Sequence, residues 1–216
     1  MKRLVIFDLD GTLLNSIADL AASTNQALQM LGFPTHPVEA YNYFVGNGIN
    51  KLFERALPED ERTEVNIREV RSLFVPYYDA HNTDLSRPYA GVEDLLHDLQ
   101  DRGVHLAVAS NKYQVATEKL VKYYFPSIRF VSVLGQRDGI PAKPDAGIVK
   151  DSLAAAGVSR EETLYVGDSN VDMQTARNAG VDAVGVTWGF RPVSELEAFH
   201  PRYIAHSAAD ILNFLD

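Results

Sequence analysis

The sequence predicts an α/β protein with a parallel sheet, interrupted once by an all-helical insertion. Apolar, β-branched runs of buried-strand length alternate with segments of helical periodicity, the pattern of parallel strands joined by helical crossovers. Gly103, Gly157 and Gly180 stand just beyond three of the helical segments, where a left-handed C-terminal cap is expected. About 90 residues separate the first strand from the second, far more than a single crossover helix requires, so something is inserted there.

The first strand spans residues 4–8, an apolar run ending in a carboxylate. Further strands are expected at 104–110, 130–134, 163–167 and 183–186, with a weaker one at 203–205. The helices between them cover 92–101, 114–124, 147–156 and 171–179. In the insertion, Ser16-Ile17-Ala18-Asp19 has the form of a capping box opening a long helix to residue 31, which Gly32, Pro34 and Pro37 close. Helical patterns follow at 38–43, 49–56 and 61–78, and no strand is evident. Residues 16–82 are therefore expected to form a helical domain on hinges at 14–16 and 82–88, and residues 1–15 with 83–216 the sheet domain.

A chain of 216 residues that is 46% apolar can bury one full core and a smaller lobe. It has no cysteine for a disulfide or thiolate metal site, and its start enters a strand without an export leader, so a cytoplasmic address is expected. No apolar stretch approaches the ~20 residues of a membrane span, and the basic cluster at 62–71 is broken by Glu64 and Glu69. A net charge of −9 disfavours nucleic-acid binding and leaves a small molecule as the expected ligand. Monomer and homodimer are equally compatible with the sequence.

Chemistry is concentrated at four strand ends, which parallel order brings to one sheet edge. Asp8-Leu9-Asp10-Gly11-Thr12 places two carboxylates and a flexible glycine after the first strand. Ser110-Asn111-Lys112 precedes a helix, so a hydroxyl and backbone N–H groups can serve either as an N-cap or as a phosphoryl-oxygen site. Lys143 is followed by Pro144, which restricts its backbone and aims the ammonium. In Gly167-Asp168-Ser169-Asn170-Val171-Asp172, a capping box from Ser169 accounts for Asp172 but leaves Asp168 unexplained. A second strand-end carboxylate opposite Asp8 is what a hard cation such as Mg2+ requires.

Together these motifs resemble the haloacid dehalogenase superfamily: Asp8 and Asp10, Ser110, Lys143, and Asp168 with Asp172 match its four motifs over nearly the whole chain. The resemblance implies a Rossmann-like three-layer core with a helical cap inserted after the first strand. It also implies that Asp8 attacks phosphorus and forms an aspartyl-phosphate. Asp10 would protonate the leaving oxygen and then deprotonate the hydrolytic water. To act first as an acid, Asp10 must hold a proton; a nearby ionised Asp8 favours this, while Mg2+ and Lys143 keep Asp8 ionised. Mg2+ would be held by the Asp8 carboxylate, the Asp10 carbonyl and Asp168, with Asp172 behind them. Ser110 and the Asn111 N–H would hold phosphate oxygens, and Lys143 would bridge Asp8 and the phosphoryl group.

Asp10 favours phosphate chemistry over dehalogenation. Within that branch the similarity is to phosphoglycolate phosphatases, carried by Tyr43-Phe-Val-Gly46-Asn47-Gly48, Leu52 to Leu57, Arg87 to Val92, Asn111-Lys112 and Val186 to Arg191. Asn15 and Ala90 depart from the usual pattern without touching the four motifs. Gly46, Asn47 and Gly48 are either a substrate loop or an ordinary turn between helices. Lys51, Arg55 and Arg191 could each meet a substrate carboxylate, but read first as surface charges. The expected ligand is a small phosphorylated metabolite. A β-phosphoglucomutase-like transferase, a phosphonatase-like enzyme using Lys51, and a non-enzymatic phospho-acceptor module remain alternatives.

Overall fold

The computed structural model describes residues 1–216. In chain order, β1 (Leu4–Phe7) and β2 (Leu14–Asn15) lead into the helices α1 (Ile17–Met30), α2 (Tyr41–Phe44), α3 (Ile49–Ala56) and α4 (Glu64–His81). The chain returns through β3 (Arg87–Pro88) and α5 (Val92–Asp101), then alternates β4 (His105–Tyr113), α6 (Gln114–Tyr124), β5 (Phe130–Gln136), α7 (Gly147–Ala156), β6 (Thr163–Gly167), α8 (Asn170–Ala179) and β7 (Asp182–Val186). A short α9 (Val193–Glu197), β8 (Tyr203–Ala205) and a 3-10 turn over Ala208–Phe214 complete it.

Six strands form one sheet in the order β5-β4-β1-β6-β7-β8, with every neighbouring pair parallel. Side-chain alternation along β1 explains its unbroken apolar sequence. Val5 and Phe7 enter a core under α5, α6 and the terminal 3-10 turn, whereas Leu4 and Ile6 enter one under α7 and α8. The result is the expected three-layer α/β core. Strand order reverses at β1, which lies between β4 and β6, so the crevice beyond its carboxyl end is where such sheets bind ligands.

Every element between β2 and β3 is helical, and its side chains form a third core centred on Leu28, Tyr41, Phe53, Phe74 and Tyr78. Ala116 joins that core, and Tyr113 and Phe190 pack against it, so the lobe sits directly on the sheet's carboxyl edge. The two expected hinge segments contain a short antiparallel ribbon, Leu14 opposite Pro88 and Asn15 opposite Arg87. Two-residue strands give too little alternation to be visible in sequence.

Local expectations divide according to where the side chains find partners. Gly103, Gly157 and Gly180 have φ of 75°, 66° and 70°, the left-handed values expected of helix ends. Ser169 and Asp172 form both arms of the capping box. Ser16 and Asp19 do not: the Ser16 side chain makes no cap bond. Its Oγ instead donates to Asp10 Oδ1 at 2.5 Å, and Asp19 accepts from the N–H groups of Leu85 and Ser86 and from Ser86 Oγ at 2.6–3.1 Å. The motif ties the entry of the helical lobe to its exit. The helix expected at 61–78 begins later, at Glu64, because Thr63 caps it by accepting from Asn66 N–H.

Candidate active site

Asp8 follows β1 directly, and its backbone N–H donates to Val166 O at 2.9 Å, anchoring it between β1 and β6. Its carboxylate is buried with Oδ1 2.9 Å from Lys143 Nζ, an ion pair without the alignment of a hydrogen bond. Lys143 Nζ also lies 2.7 Å from Asp172 Oδ1 and 3.0 Å from both Ala109 O and Tyr165 Oη. Burial alone would lower the Lys143 pKa, but Asp172 and Asp8 outweigh it and hold the ammonium well above its ordinary range. Burial, followed by the Asp172 charge, pushes Asp8 up to about 7 with the Lys143 ammonium opposing them, so the expected ionised Asp8 depends on a bound cation as well as on Lys143.

Asp168 is raised for the same reasons, burial first and then the charges of Asp172 and Asp8. Its Oδ2 accepts from Phe190 N–H at 2.7 Å. Two glycines make room for it: a Cβ on Gly11 would lie 2.2 Å from Asp168 Oδ2, and one on Gly189 2.2 Å from Asp168 Cβ. Gly11 also has φ +87°, so both space and backbone require glycine there.

Asp8, Asp168 and Asp172 place carboxylate oxygens within 4.8 Å of one another. Three buried carboxylates around one ammonium, an all-oxygen donor set in charge excess, fit a hard divalent cation. Asp172 is the least available: Oδ1 accepts from Lys143 and Tyr165, and Oδ2 from the N–H and hydroxyl of Ser169. The Asp10 carboxylate lies outside this cluster, so any metal contact from Asp10 falls to its main chain.

Asp10 has partners the sequence reading missed. Oδ1 accepts from Ser16, and Oδ2 is 3.0 Å from the buried ammonium of Lys112, which also donates to Tyr78 Oη at 2.8 Å from α4. Asp10 therefore does not face Asp8 alone, and donating to a leaving group requires it to exchange this ion pair for the leaving oxygen. The usable signal was a lysine at the end of an otherwise apolar strand, a position that demands a buried partner.

Ser110, Asn111 and Lys112 are not at a helix N-terminus. β4 continues to Tyr113, and its register with β5 shifts between Ala109 and Tyr113, so these residues leave the ladder and turn into the crevice. Ser110 is buried beside the cavity. The Asn111 side chain grips the Lys143 backbone on both sides, accepting from its N–H at 2.8 Å and donating to its carbonyl at 3.1 Å, and reaches Gly46 O at 2.9 Å. Gly46 and Gly48 line the cavity with Asp8, Asp10, Ser110 and Asp168, whereas Asn47 turns aside to accept from Arg55 at 2.8 Å. Lys51 is exposed and paired with Glu54, which removes it from a phosphonatase-like role in this cavity.

A family model for haloacid dehalogenase-like hydrolases matches residues 5–186. The chain belongs to the haloacid dehalogenase-like hydrolase family. This hydrolase is 33% identical to the phosphoglycolate phosphatase of Vibrio parahaemolyticus, over 97% of its own length and 94% of the relative's. It is 35% identical to that of Pseudomonas putida over 94% and 76%. A crystal structure of a candidate phosphoglycolate phosphatase from Lactobacillus delbrueckii subsp. bulgaricus superposes with a TM-score of 0.92 at 32% identity, covering 100% and 99% of the two chains.

Proposed function

We propose that this hydrolase is a Mg2+-dependent phosphatase acting on a small phosphomonoester of the 2-phosphoglycolate type, through an aspartyl-phosphate. The observation that carries the reading is the convergence of Asp8, Asp10, Ser110 and Asp168 on one cavity between the sheet edge and the helical lobe. Asp8 and Asp168, with the Asp10 carbonyl, would hold Mg2+, which neutralises phosphoryl-oxygen charge.

An Asp8 carboxylate oxygen attacks phosphorus in line as the bond to the leaving oxygen breaks, and Asp10 gives that oxygen its proton. Water then attacks the phosphoryl group, Asp10 takes its proton, and rupture of the Asp8–phosphorus bond regenerates the carboxylate. Ser110 and the Asn111 N–H steady the phosphoryl oxygens. Lys143 compensates charge at Asp8, and Asn111 fixes the Lys143 backbone. The helical lobe, residues 16–82, serves as a cap that excludes water, with Gly46 and Gly48 as its closest approach to the substrate.

The chain's net charge of −9 supports a small phosphorylated metabolite over a nucleic acid as ligand. No helix is long and apolar enough to cross a membrane. Inorganic phosphate release from a panel of small phosphomonoesters with Mg2+ tests the reading directly. Asp8→Asn should lower the rate at least about 10^3-fold on any accepted substrate. Wild-type turnover by that variant would remove the nucleophile assignment.

A further inference from the structure

Lys51, Arg55 and Arg191, the three cations weighed as contacts for a substrate carboxylate, have no part in the mechanism above, and the structure separates them. Lys51 is closed on Glu54 at 2.7 Å at the surface. Arg55 donates to Tyr43 O, Phe44 O and Asn47 Oδ1 at 2.8–3.2 Å, bracing the loop from within the lobe without lining the cavity. Arg191 lines the cavity, although its side chain is only 10% exposed.

Arg191 is held in place but not saturated. Its Nη2 donates to Val45 O at 3.2 Å and lies 3.5 Å from Tyr43 O, and its Cζ is 5.0 Å from the centre of the Tyr43 ring. The nearest carboxylate, Glu195, is 3.8 Å from Nε, too far for a hydrogen bond. The main chain just before it is tethered to the cation-site carboxylate, through Phe190 N–H to Asp168 Oδ2. Arg191 therefore has a fixed position relative to the phosphoryl centre.

The helical lobe offers nothing else polar to a substrate through its side chains. Its cavity-lining residues are Leu20, Val45, Gly46, Gly48, Ile49 and Leu52, none with a side-chain hydrogen-bonding group. The other cation in the lining, Lys112, is already paired with Asp10 and Tyr78. A sugar would find no side-chain hydroxyl or amide partner on this wall, whereas one anionic substituent would find a guanidinium. The Arg55 pKa is lowered by burial and, next, by the charge of Arg191, so two guanidinium groups act on the same loop and attract an anion.

We propose that Arg191 is a specificity-determining residue that binds a carboxylate on the alcohol portion of the substrate, selecting phosphomonoesters of small hydroxycarboxylic acids. A planar guanidinium fork with spare N–H donors matches a carboxylate in shape as well as charge. The inference rests on the phosphomonoesterase reading above.

The test compares kcat/KM for 2-phosphoglycolate and its near-isosteric carboxamide in wild type, Arg191→Met and Arg191→Lys, with thermal unfolding as a check on folding. Wild type should prefer the carboxylate by at least about 30-fold. Arg191→Met should reduce that preference to about threefold or less, chiefly through KM, and Arg191→Lys should retain an intermediate preference. If Arg191→Met does not fold, the drop in preference in Arg191→Lys decides the matter. An absent preference in wild type, or one that survives both substitutions, would show that Arg191 only clasps the loop and would overturn the inference while leaving the phosphatase reading intact. Failure of wild type to release phosphate from either compound or from the wider panel would remove both.

Discussion

Gly11 shows how one residue without a side chain can make room for a carboxylate of the proposed cation site. Its φ of +87° and the 2.2 Å approach of an added Cβ to Asp168 Oδ2 mean that Gly11→Ala must move either the loop or the carboxylate. We expect a stability loss of about 1–3 kcal/mol in thermal unfolding and at least tenfold weaker Mg2+ binding by calorimetry. At Asp10 the controlling neighbour is Lys112. Lys112→Met removes both the ion pair and the bond to Tyr78, and should lower kcat by about ten- to a hundredfold through misplacement of Asp10. Steady-state rates with saturating substrate check this, and an unchanged kcat would show that Asp10 works without that support. The residue types at these positions were legible as Asp-x-Asp-Gly and Ser-Asn-Lys, but the pairing of Asp10 with Lys112 was not, because it depends on the extension of β4 past the point where its apolar run ends.

Elements whose signals are local are legible in the sequence. β6 and β8 and the helices α3, α5, α6 and α7 have the bounds that periodicity and glycine caps indicated. The ribbon of β2 and β3 leaves no signal in the sequence, and Asp19 takes no part in the expected capping box. Asp19 is buried and accepts from two backbone N–H groups and a hydroxyl contributed from 66 and 67 residues further along the chain. Asp19→Ala strands the Leu85 and Ser86 donors and should cost about 2–3 kcal/mol, seen as a fall in Tm of roughly 5–10 °C. A near-unchanged Tm would mean that water replaces the carboxylate and that the ribbon alone holds the two crossings.

The whole molecule holds three buried carboxylates against one ammonium, which links its stability to pH and, on the proposed reading, to Mg2+. Asp8 moves from an ordinary 3.8 to about 7 on folding, so between those values the folded chain binds more protons than the unfolded chain. Stability from this group is therefore fully present below about pH 4 and is lost as pH rises towards 7. Asp168 acts in the same direction. Metal-free protein should lose several degrees of Tm between pH 5 and pH 7.5, with a shallower slope in Asp8→Asn. Mg2+ at a hundred times its Kd should restore about 2.7 kcal/mol at the upper pH. A Tm that does not respond to Mg2+ would remove the cation from the site.

The sequence by itself determined the α/β class, the residue types Asp8, Asp10, Ser110, Lys143 and Asp168 that gather at the sheet's carboxyl edge, and the helical insertion, because buried strands, helix periodicity and glycine caps are properties of neighbouring residues; Ser110 lies within β4 and Lys143 in the loop after β5 rather than at strand ends. Only the tertiary structure decided the partners of those side chains: Asp10 with Lys112, Asp19 with the returning strand, and Arg191 with the loop above the cavity. Those contacts join residues far apart in the chain. Sheet order and the seating of the helical lobe bring them together, and desolvation then makes each buried charge depend on the partner it finds.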